Sequence, residues 1–285
     1  MLVNMLKLGD PGFPEILERI PYPPQRIFWA GQPPESWLGR PKLAVVGSRK
    51  ITPYGRTVTS RLINELARTG VVIISGMAYG VDVAAHQAAL AAGGTTVAVM
   101  PGGLDMIYPA AHANIARQTI EQGTLITEYQ AGTESFKSNF IARNRLISGL
   151  ADVLLITEAA LKSGSLHTAR FALEQGKTVM AVPGNITSPF SEGCNNLIKS
   201  GAIPVTSAED VFFALKINTS VNKPQTITGS PEEQLVFSFI RQGIAAQEEI
   251  AAQAKLEGAQ LASVLTMLEL SGHIRPAGGG NWVAA

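Results

Sequence analysis

From Lys42 onward, short apolar runs of strand length alternate with stretches of helical periodicity, and this alternation constrains the fold more than any other feature of the chain. Such an order favours a mostly parallel sheet with helices on both of its faces, an α/β fold. The pattern predicts strands at 42–47, 71–75, 95–100, 124–127, 152–157, 178–182 and 203–205. It predicts helices at 54–69, 81–92, 110–122, 140–150, 164–176, 194–200 and 207–216. Glycines just past the predicted helix ends suit left-handed caps, namely Gly70, Gly93, Gly94, Gly123, Gly176 and Gly201.

The chain divides into four predicted segments. Residues 1–40 are rich in proline and aromatic residues, and we expect an extended lead-in segment with little helix of its own. Residues 41–216 form the α/β domain, and the polar, aperiodic residues 217–230 are predicted to be a linker. Residues 231–285 contain three short helical periods and a glycine-rich turn, which is the order of a small winged-helix domain.

Charge limits the classes of partner. The net charge of +1 gives no overall attraction to nucleic acid, so any such binding requires a local patch. Between Glu35 and Glu65 the charged residues are all cations, namely Arg40, Lys42, Arg49, Lys50, Arg56 and Arg61. In the second and third helical periods of the winged-helix segment, Glu248, Glu249 and Glu257 outweigh the one cation Lys255, which favours a protein contact or a structural role over reading of duplex DNA.

Cysteine and hydropathy indicate the compartment. Cys194 is the only cysteine, so no disulfide can form within the chain, and we expect a small buried side chain in a reducing compartment. No signal-peptide pattern is present, and the apolar runs are shorter than the ~20 residues of a membrane span. We therefore expect a cytoplasmic protein with no membrane contact.

Two polar clusters flank the strand predicted at 152–157, and a parallel sheet brings both to its carboxyl-terminal edge. Cations, an amide, hydroxyls and helix-start N–H groups suit phosphate oxygens. Phe140 is equally compatible with base stacking and with core packing. Arg143 and Arg145 point to different faces, so that one can face the ligand while the other braces the loops or a partner subunit. The clusters comprise Lys137, Phe140, Arg143, Asn144, Arg145, Ser163, Gly164, Ser165 and Thr168.

Three further motifs follow other predicted strands. Gly47, Ser48 and Arg49 end the first strand, where a structural turn is the simplest interpretation, since neither the Gly-x-Gly-x-x-Gly nor the Walker pattern is present. Asp82 and His86 share a helical face, which fits a cap with a buried histidine better than a catalytic pair. Pro101-Gly102-Gly103 also occurs in phosphoribohydrolase-type Rossmann enzymes, but the catalytic glutamate that follows it there is absent.

Together these motifs resemble the DNA-processing protein A (DprA, or Smf) family. They are Val-Gly-Ser-Arg at 46–49, Ser-Gly-x-Ala-x-Gly-x-Asp from Ser75, Tyr108-Pro109, Arg-Asn-Arg from Arg143, Ser-Gly-Ser-Leu from Ser163, Ala-Val-Pro-Gly from Ala181 and Gly-Cys-Asn from Gly193. The resemblance implies an extended Rossmann fold that binds single-stranded DNA without sequence preference, forms a homodimer through this domain, and protects incoming strands and loads RecA onto them in natural transformation.

The same resemblance implies DNA contacts at Ser48, Arg49, Lys137, Phe140, Arg143 and Asn144, with Ser163, Gly164 and Ser165 at the rim. From the residues themselves, Gly47, Arg145 and Thr168 join this predicted site, and we expect no catalytic residue, metal or cofactor. A nucleotide-processing Rossmann enzyme of the phosphoribohydrolase type is the alternative, and a regulator reading duplex DNA through residues 231–285 is a third hypothesis.

Overall fold

The computed structural model describes residues 2–217 and 229–284 and forms two compact units, Met1–Asn218 and Thr219–Ala285. The predicted division into four segments stays a prediction, and residues 218–228 of the predicted linker lie outside the described residues. No helix in the described ranges is long and apolar enough to cross a membrane.

The first unit is built on one nine-stranded sheet with the order β1-β2-β6-β5-β4-β3-β7-β8-β9. The strands from β3 to β9 are parallel, and β1 and β2 add to one edge by antiparallel pairing. The inner strands are Val- and Ile-rich and buried on both faces, as parallel strands under helices must be. The strands are β1 (Asn4–Lys7), β2 (Arg26–Gly31), β3 (Lys42–Val46), β4 (Val72–Ser75), β5 (Thr96–Val99), β6 (Thr124–Thr127), β7 (Val153–Ile156), β8 (Thr178–Ala181) and β9 (Ile203–Pro204).

The first 40 residues are more structured than the sequence pattern predicts. They supply β1 and β2, and β2 pairs with β6 from Phe28↔Thr127 to Gly31↔Thr124. Trp37 is fully buried and its indole N–H donates to Thr124 Oγ1 at 2.9 Å. These pairings make the segment part of the sheet rather than a lead-in to it. Its prolines, Pro23 and Pro24 before β2 and Pro33 and Pro34 after it, obscured the strand in the sequence.

Helices cover both faces of the sheet, which confirms the predicted fold class. Side chains from α1, α6, α7 and α8 pack in one core cluster, and side chains from α3, α4 and α9 pack in another. The helices are α1 (Glu15–Glu18), α2 (Glu35–Leu38), α3 (Pro53–Arg68), α4 (Val81–Ala91), α5 (Ala113–Gln122) after a 3₁₀ turn at Ala110–His112, α6 (Lys137–Leu150), α7 (Ser165–Glu174), α8 (Glu192–Lys199) and α9 (Ala208–Ala214).

Four of the six predicted glycine caps are left-handed, and Gly94 and Gly123 are not. Gly70, Gly93, Gly176 and Gly201 have positive φ angles, as predicted. Gly123 has φ −166°, which any residue adopts. Glycine is required there because a Cβ atom would collide with the Thr96 carbonyl oxygen of the neighbouring strand β5.

The second unit has the predicted winged-helix order. It contains α10 (Pro231–Arg241), α11 (Gln247–Ala254), α12 (Gly258–Leu270), and the antiparallel pair β10 (Ile274–Gly278) and β11 (Asn281–Ala284). Its core is formed by apolar side chains of all three helices together with Ile274. The exposed positions of α12 carry no cation, which agrees with the expectation that this helix is unsuited to reading DNA.

Candidate nucleic-acid interface

Most of the predicted site residues line one pocket, which lies at the point in the sheet where the strand order reverses. Strands β3 and β7 are parallel neighbours. From β3 the chain proceeds through β4, β5 and β6 on one side, and from β7 through β8 and β9 on the other. The loops after β3 and β7 therefore diverge, and a crevice opens between them at the carboxyl-terminal edge, which is where open α/β sheets bind ligands. The pocket there has a volume of about 370 Å³.

Ten of the twelve predicted site residues line this pocket, namely Gly47, Ser48, Arg49, Phe140, Arg143, Asn144, Ser163, Gly164, Ser165 and Thr168. The other two, Lys137 and Arg145, do not. The structure thus brings together the loop after β3, the first turns of α6 and the start of α7, which are separated by up to about 120 positions in sequence.

The Gly47-Ser48-Arg49 loop is held by its own backbone and by the loop after β7. The Ser48 N–H donates to the Glu158 carbonyl oxygen at 2.7 Å. The Ser48 hydroxyl donates to the Lys50 carbonyl oxygen at 3.0 Å and accepts from the Lys50 N–H at 3.1 Å. A Cβ atom on Gly47 would lie 2.6 Å from the Glu158 carbonyl oxygen, so only glycine allows this close approach. The interpretation as a structural turn is confirmed for Gly47 and Ser48, and the turn leaves Arg49 exposed.

Arg49 lies over the aromatic ring of Phe140. Its guanidinium carbon is 5.0 Å from the ring centroid, within the range of a cation–π contact. Phe140 also meets Tyr108 edge-on, with ring centroids 5.3 Å apart and an interplanar angle of 72°. Among the described residues, Arg49 forms no salt bridge with a carboxylate. Its charge is therefore available to an anion at the mouth of the pocket.

Arg143 lies under the pocket rather than at its mouth. The side chain is only 2% exposed, and Nη1 donates to the carbonyl oxygens of Gly76 and Val99. Burial lowers the pKa of Arg143 to about 10, against the attraction of Asp82, so the guanidinium stays charged at neutral pH. Arg143 ties the ends of β4 and β5 to α6 and contributes a buried positive charge to the floor.

Asp82 places a carboxylate beside this charge. It accepts from the N–H groups of Gly76 and Ala78 at 3.2 and 3.4 Å, which fits the predicted capping role. Burial raises the pKa of Asp82, while Arg143 and these two N–H groups act to lower it. Asp82 is thus engaged in holding the loop after β4.

His86 is buried as predicted, but only one ring nitrogen has a partner. Thr96 Oγ1 donates to the Ile73 carbonyl oxygen at 2.9 Å, so it accepts from His86 Nδ1 at 2.7 Å. Within the described residues, Nε2 has no hydrogen-bond partner. Burial lowers the pKa of His86 to about 3, so the ring is neutral and structural.

Arg145 takes the bracing role that the sequence left open between the two arginines. Its Nη2 lies 2.6 Å from Glu128 Oε2 in a salt bridge, and its Nε donates to the Tyr22 carbonyl oxygen at 3.0 Å. It therefore ties α6 to the segment after β6 and to the N-terminal residues, away from the pocket. Lys137, at the first position of α6, is exposed but does not line the pocket.

The start of α7 offers hydroxyls to the opposite wall. Ser163 Oγ and Ser165 Oγ are 2.8 Å apart. Thr168 lies one turn further on and is completely buried, and its Oγ1 has no hydrogen-bond partner in the part of the chain that the structure describes. Together with the first N–H groups of α7, these hydroxyls can receive phosphate oxygens.

Sequence reasoning named Lys50 among the cations between Glu35 and Glu65 but did not assign it to the site, and it missed the exposed cation Lys162 and the exposed His167. Lys50 follows the predicted residue Arg49, and Lys162 precedes the predicted residue Ser163. Their position next to predicted site residues is the sequence feature that could have identified these two lysines. With Arg49 they give three exposed cations around one pocket. Cys194 is buried, which confirms that expectation, and burial raises its pKa to about 12.

Comparison with known proteins finds two family models that match the chain. The model of DNA recombination-mediator protein A matches residues 4–216, and that of the DprA winged helix domain matches residues 221–280. The chain is 37% identical over 254 residues to the putative DNA processing protein DprA of Mycobacterium tuberculosis, which covers 86% of this chain but 65% of that protein.

Two solved structures are similar to about three quarters of this chain. DNA processing protein A from Streptococcus pneumoniae gives a TM-score of 0.71 at 39% identity and covers 74% of this chain and 73% of that one. DNA processing protein A from Helicobacter pylori, whose structure concerns its single-stranded DNA binding mode, gives a TM-score of 0.68 at 32% identity and covers 75% of this chain and 95% of that one.

Proposed function

The chain belongs to the DNA recombination-mediator protein A family, and from this membership we propose that it binds single-stranded DNA without sequence preference and acts as a recombination mediator. It protects incoming strands and loads RecA onto them during natural transformation. It works in the cytoplasm as a homodimer formed through the Rossmann-like domain, without enzymatic activity or a cofactor. The single-stranded DNA binding of the Helicobacter pylori protein supports this proposal.

The observation that carries the proposal is the cationic pocket at the β3–β7 switch point. Three exposed cations, Arg49, Lys50 and Lys162, surround it. Hydroxyls and helix-start N–H groups line its wall, and Arg143 adds a buried positive charge beneath. These groups recognise phosphate and sugar, which every nucleotide carries, so their contacts position a strand without reading its sequence.

We assign the DNA contacts to Arg49, Lys50, Lys162, Asn144 and the Ser163–Ser165 turn, with Thr168 behind them. Lys137, which is exposed on the first turn of α6, is assigned to a phosphate beyond the pocket. Gly47, Ser48 and Arg143 shape and support the pocket. We leave Arg145 out of the contact set because its guanidinium is paired with Glu128.

The nucleotide-processing alternative needs a carboxylate placed to attack or activate a water molecule. Two carboxylates come into question, Asp82 in the pocket lining and Glu158 in the loop after β7, and both are occupied. Asp82 accepts two backbone N–H groups, and Glu158 accepts from the Thr52 N–H at 2.8 Å at the start of α3. This engagement favours a binding role, and an assay for release of free base from nucleoside monophosphates tests the alternative directly.

The proposed function is tested by fluorescence anisotropy of a labelled single-stranded oligonucleotide, titrated with the protein across a salt series beside a duplex control. We expect preference for the single strand, and a plot of log K against log salt with a slope of about −0.7 per neutralised phosphate. Arg49→Ala should lower the affinity equally on all sequences and make this slope shallower by about 0.7 for each phosphate that the variant no longer neutralises.

Arg68→Ala is the matched control. Arg68 is an exposed arginine in the last turn of the 16-residue helix α3, so about 20 Å of helix separates it from the pocket end. It should leave both affinity and slope unchanged. Equal affinity for duplex, or equal effects of the two substitutions, would overturn the proposal. Light scattering then tests the homodimer, and a RecA strand-exchange assay tests the loading step.

A further inference from the structure

The ring of Phe140 is not an open platform for a nucleobase. Arg49 lies over it with the guanidinium carbon 5.0 Å from the ring centroid, and the residue is only half-exposed. Phe140 also contacts Tyr108 edge-on. Arg49 thus covers ring surface that a stacked base would need.

Tyr108 has the surface that Phe140 lacks. Its ring is at 72° to that of Phe140, so this contact engages an edge of one ring and leaves at least one face of Tyr108 uncovered by Phe140. Tyr108 is 46% exposed, and its ring centroid is 5.3 Å from that of Phe140, a residue of the pocket wall. An open aromatic face therefore stands directly beside the cationic pocket.

The segment Tyr108–His112 is held at its His112 end as well as at Tyr108. His112, four residues further on, is buried, and its Nδ1 donates to the Met77 carbonyl oxygen at 2.8 Å in the loop after β4. The ring of Tyr79 packs edge-on against His112 at 4.8 Å. Because both ends of the Tyr108–His112 segment are held, the Tyr108 ring is placed before any ligand arrives, and little order is lost on stacking.

We propose that Tyr108, which lies just outside the pocket, is a stacking platform for one nucleobase of a single strand. Arg49 holds the phosphate next to that base. This inference rests on the proposed function. Every base has a π face, so the platform accepts purines and pyrimidines and adds affinity without sequence preference. Its contribution does not involve counterions and is insensitive to salt, in contrast to that of the rim cations.

Tyr108→Leu tests the platform, because leucine keeps an apolar contact with Phe140 but has no aromatic face. We expect single-strand affinity to fall about five-fold or more, the lower end of what loss of one stacked base produces, with the salt slope unchanged. Tyr22→Leu, at a tyrosine that is 83% exposed and does not line the pocket, is the control and should stay within two-fold of wild type. Thermal unfolding of both variants checks that they fold.

A second readout reports stacking itself. Because binding without sequence preference allows many registers, the probe is an oligonucleotide in which every adenine is replaced by 2-aminopurine. The wild type should quench its fluorescence more than Tyr108→Leu does, and a fully abasic oligonucleotide should weaken the wild type by a larger factor than it weakens Tyr108→Leu. If the wild type binds single strands but Tyr108→Leu binds equally well, the platform is refuted while the proposed function stands. If the wild type does not prefer single strands, the proposed function fails.

Discussion

A cation in a DNA-binding motif can contact the DNA or support the structure of the pocket. We assign Arg143 to the second role, and Arg143→Met distinguishes the two. The substitution removes the donor to the carbonyl oxygens of Gly76 and Val99 and the buried positive charge that acts on Asp82. Leaving a buried acceptor unsatisfied costs about 1–3 kcal/mol, so the two carbonyl oxygens together cost about 2–6 kcal/mol. For a unit of this size, each kcal/mol lowers the unfolding midpoint by about 2–4 °C, so we expect a loss of about 4–24 °C.

The assay follows unfolding of the first unit alone. The chain has three tryptophans, of which Trp29 and Trp37 belong to the first unit and Trp282 to the second. In a Trp282→Phe background, intrinsic fluorescence therefore reports only the unit that contains the pocket. Arg49→Met is the matched control, because an exposed arginine contributes within about 0.5 kcal/mol to stability. It should lose single-strand affinity and keep its midpoint.

Asp82→Asn completes the cycle. If the cost of Arg143→Met includes an uncompensated carboxylate, Asp82→Asn should cost less in the Arg143→Met background than in the wild type. The reasoning is refuted if Arg143→Met unfolds at the same temperature as Arg49→Met and still loses DNA affinity. Arg143 would then be a contact, as the sequence motif predicts.

Two further predictions concern pH and glycine. The pKa of His86 falls from 6.5 in the unfolded chain to about 3 when folded, so the unfolded state binds the extra proton between these values. Stability of the first unit should therefore decline as pH falls from 6.5 towards 3, by up to about 1.4 kcal/mol per unit, and His86→Gln should remove this component in denaturant titrations across that range. Gly47→Ala should destabilise by about 1–3 kcal/mol and weaken DNA binding, because its Cβ would lie 2.5 Å from Val81 Cγ2. Gly39→Ala, at a glycine of the first unit that does not line the pocket and where a Cβ meets nothing within 4 Å, is the control, and equal effects of the two would contradict the packing argument.

The seven parallel strands were predictable because a buried parallel strand is a continuous apolar run, and β3, β4, β5, β6 and β7 are buried at every position. Their helices were predictable from period and punctuation. Strands β1 and β2 were not, since both are short and join the sheet by antiparallel pairing, and β2 lies between two pairs of prolines without a regular alternation of buried and exposed residues. Pairing with β6, a strand about a hundred residues later in sequence, is what makes β2 a strand, and no local pattern contains that information.

In the site, as in the fold, some features could be predicted from the sequence and others could not. Motif order brought ten residues to one pocket, because parallel strands fix which loops share an edge. Residue type alone could not say what each cation does there. Arg49, Arg143 and Arg145 look alike in sequence, but one lies exposed over an aromatic ring, one is buried against two carbonyl oxygens, and one is paired with Glu128. The difference comes from acceptors supplied by β4, β5 and the segment after β6.

The different roles of Arg143 and Arg49 also explain how a pocket with a buried charge can bind a ligand that it must later release. Arg143 is held by backbone carbonyl oxygens, which cannot move without disturbing β4 and β5, so its charge is a fixed part of the floor. Among the described residues, the contact given for the Arg49 guanidinium is a cation–π contact worth about 0.5–1 kcal/mol at an exposed site, so Arg49 can leave Phe140 for a phosphate at little cost. A fixed charge below and an adjustable charge above attract any phosphodiester while binding none of its bases by hydrogen-bond pattern. Sequence-independent binding follows from that arrangement, and the rim cations, rather than the buried arginine, should set its salt dependence.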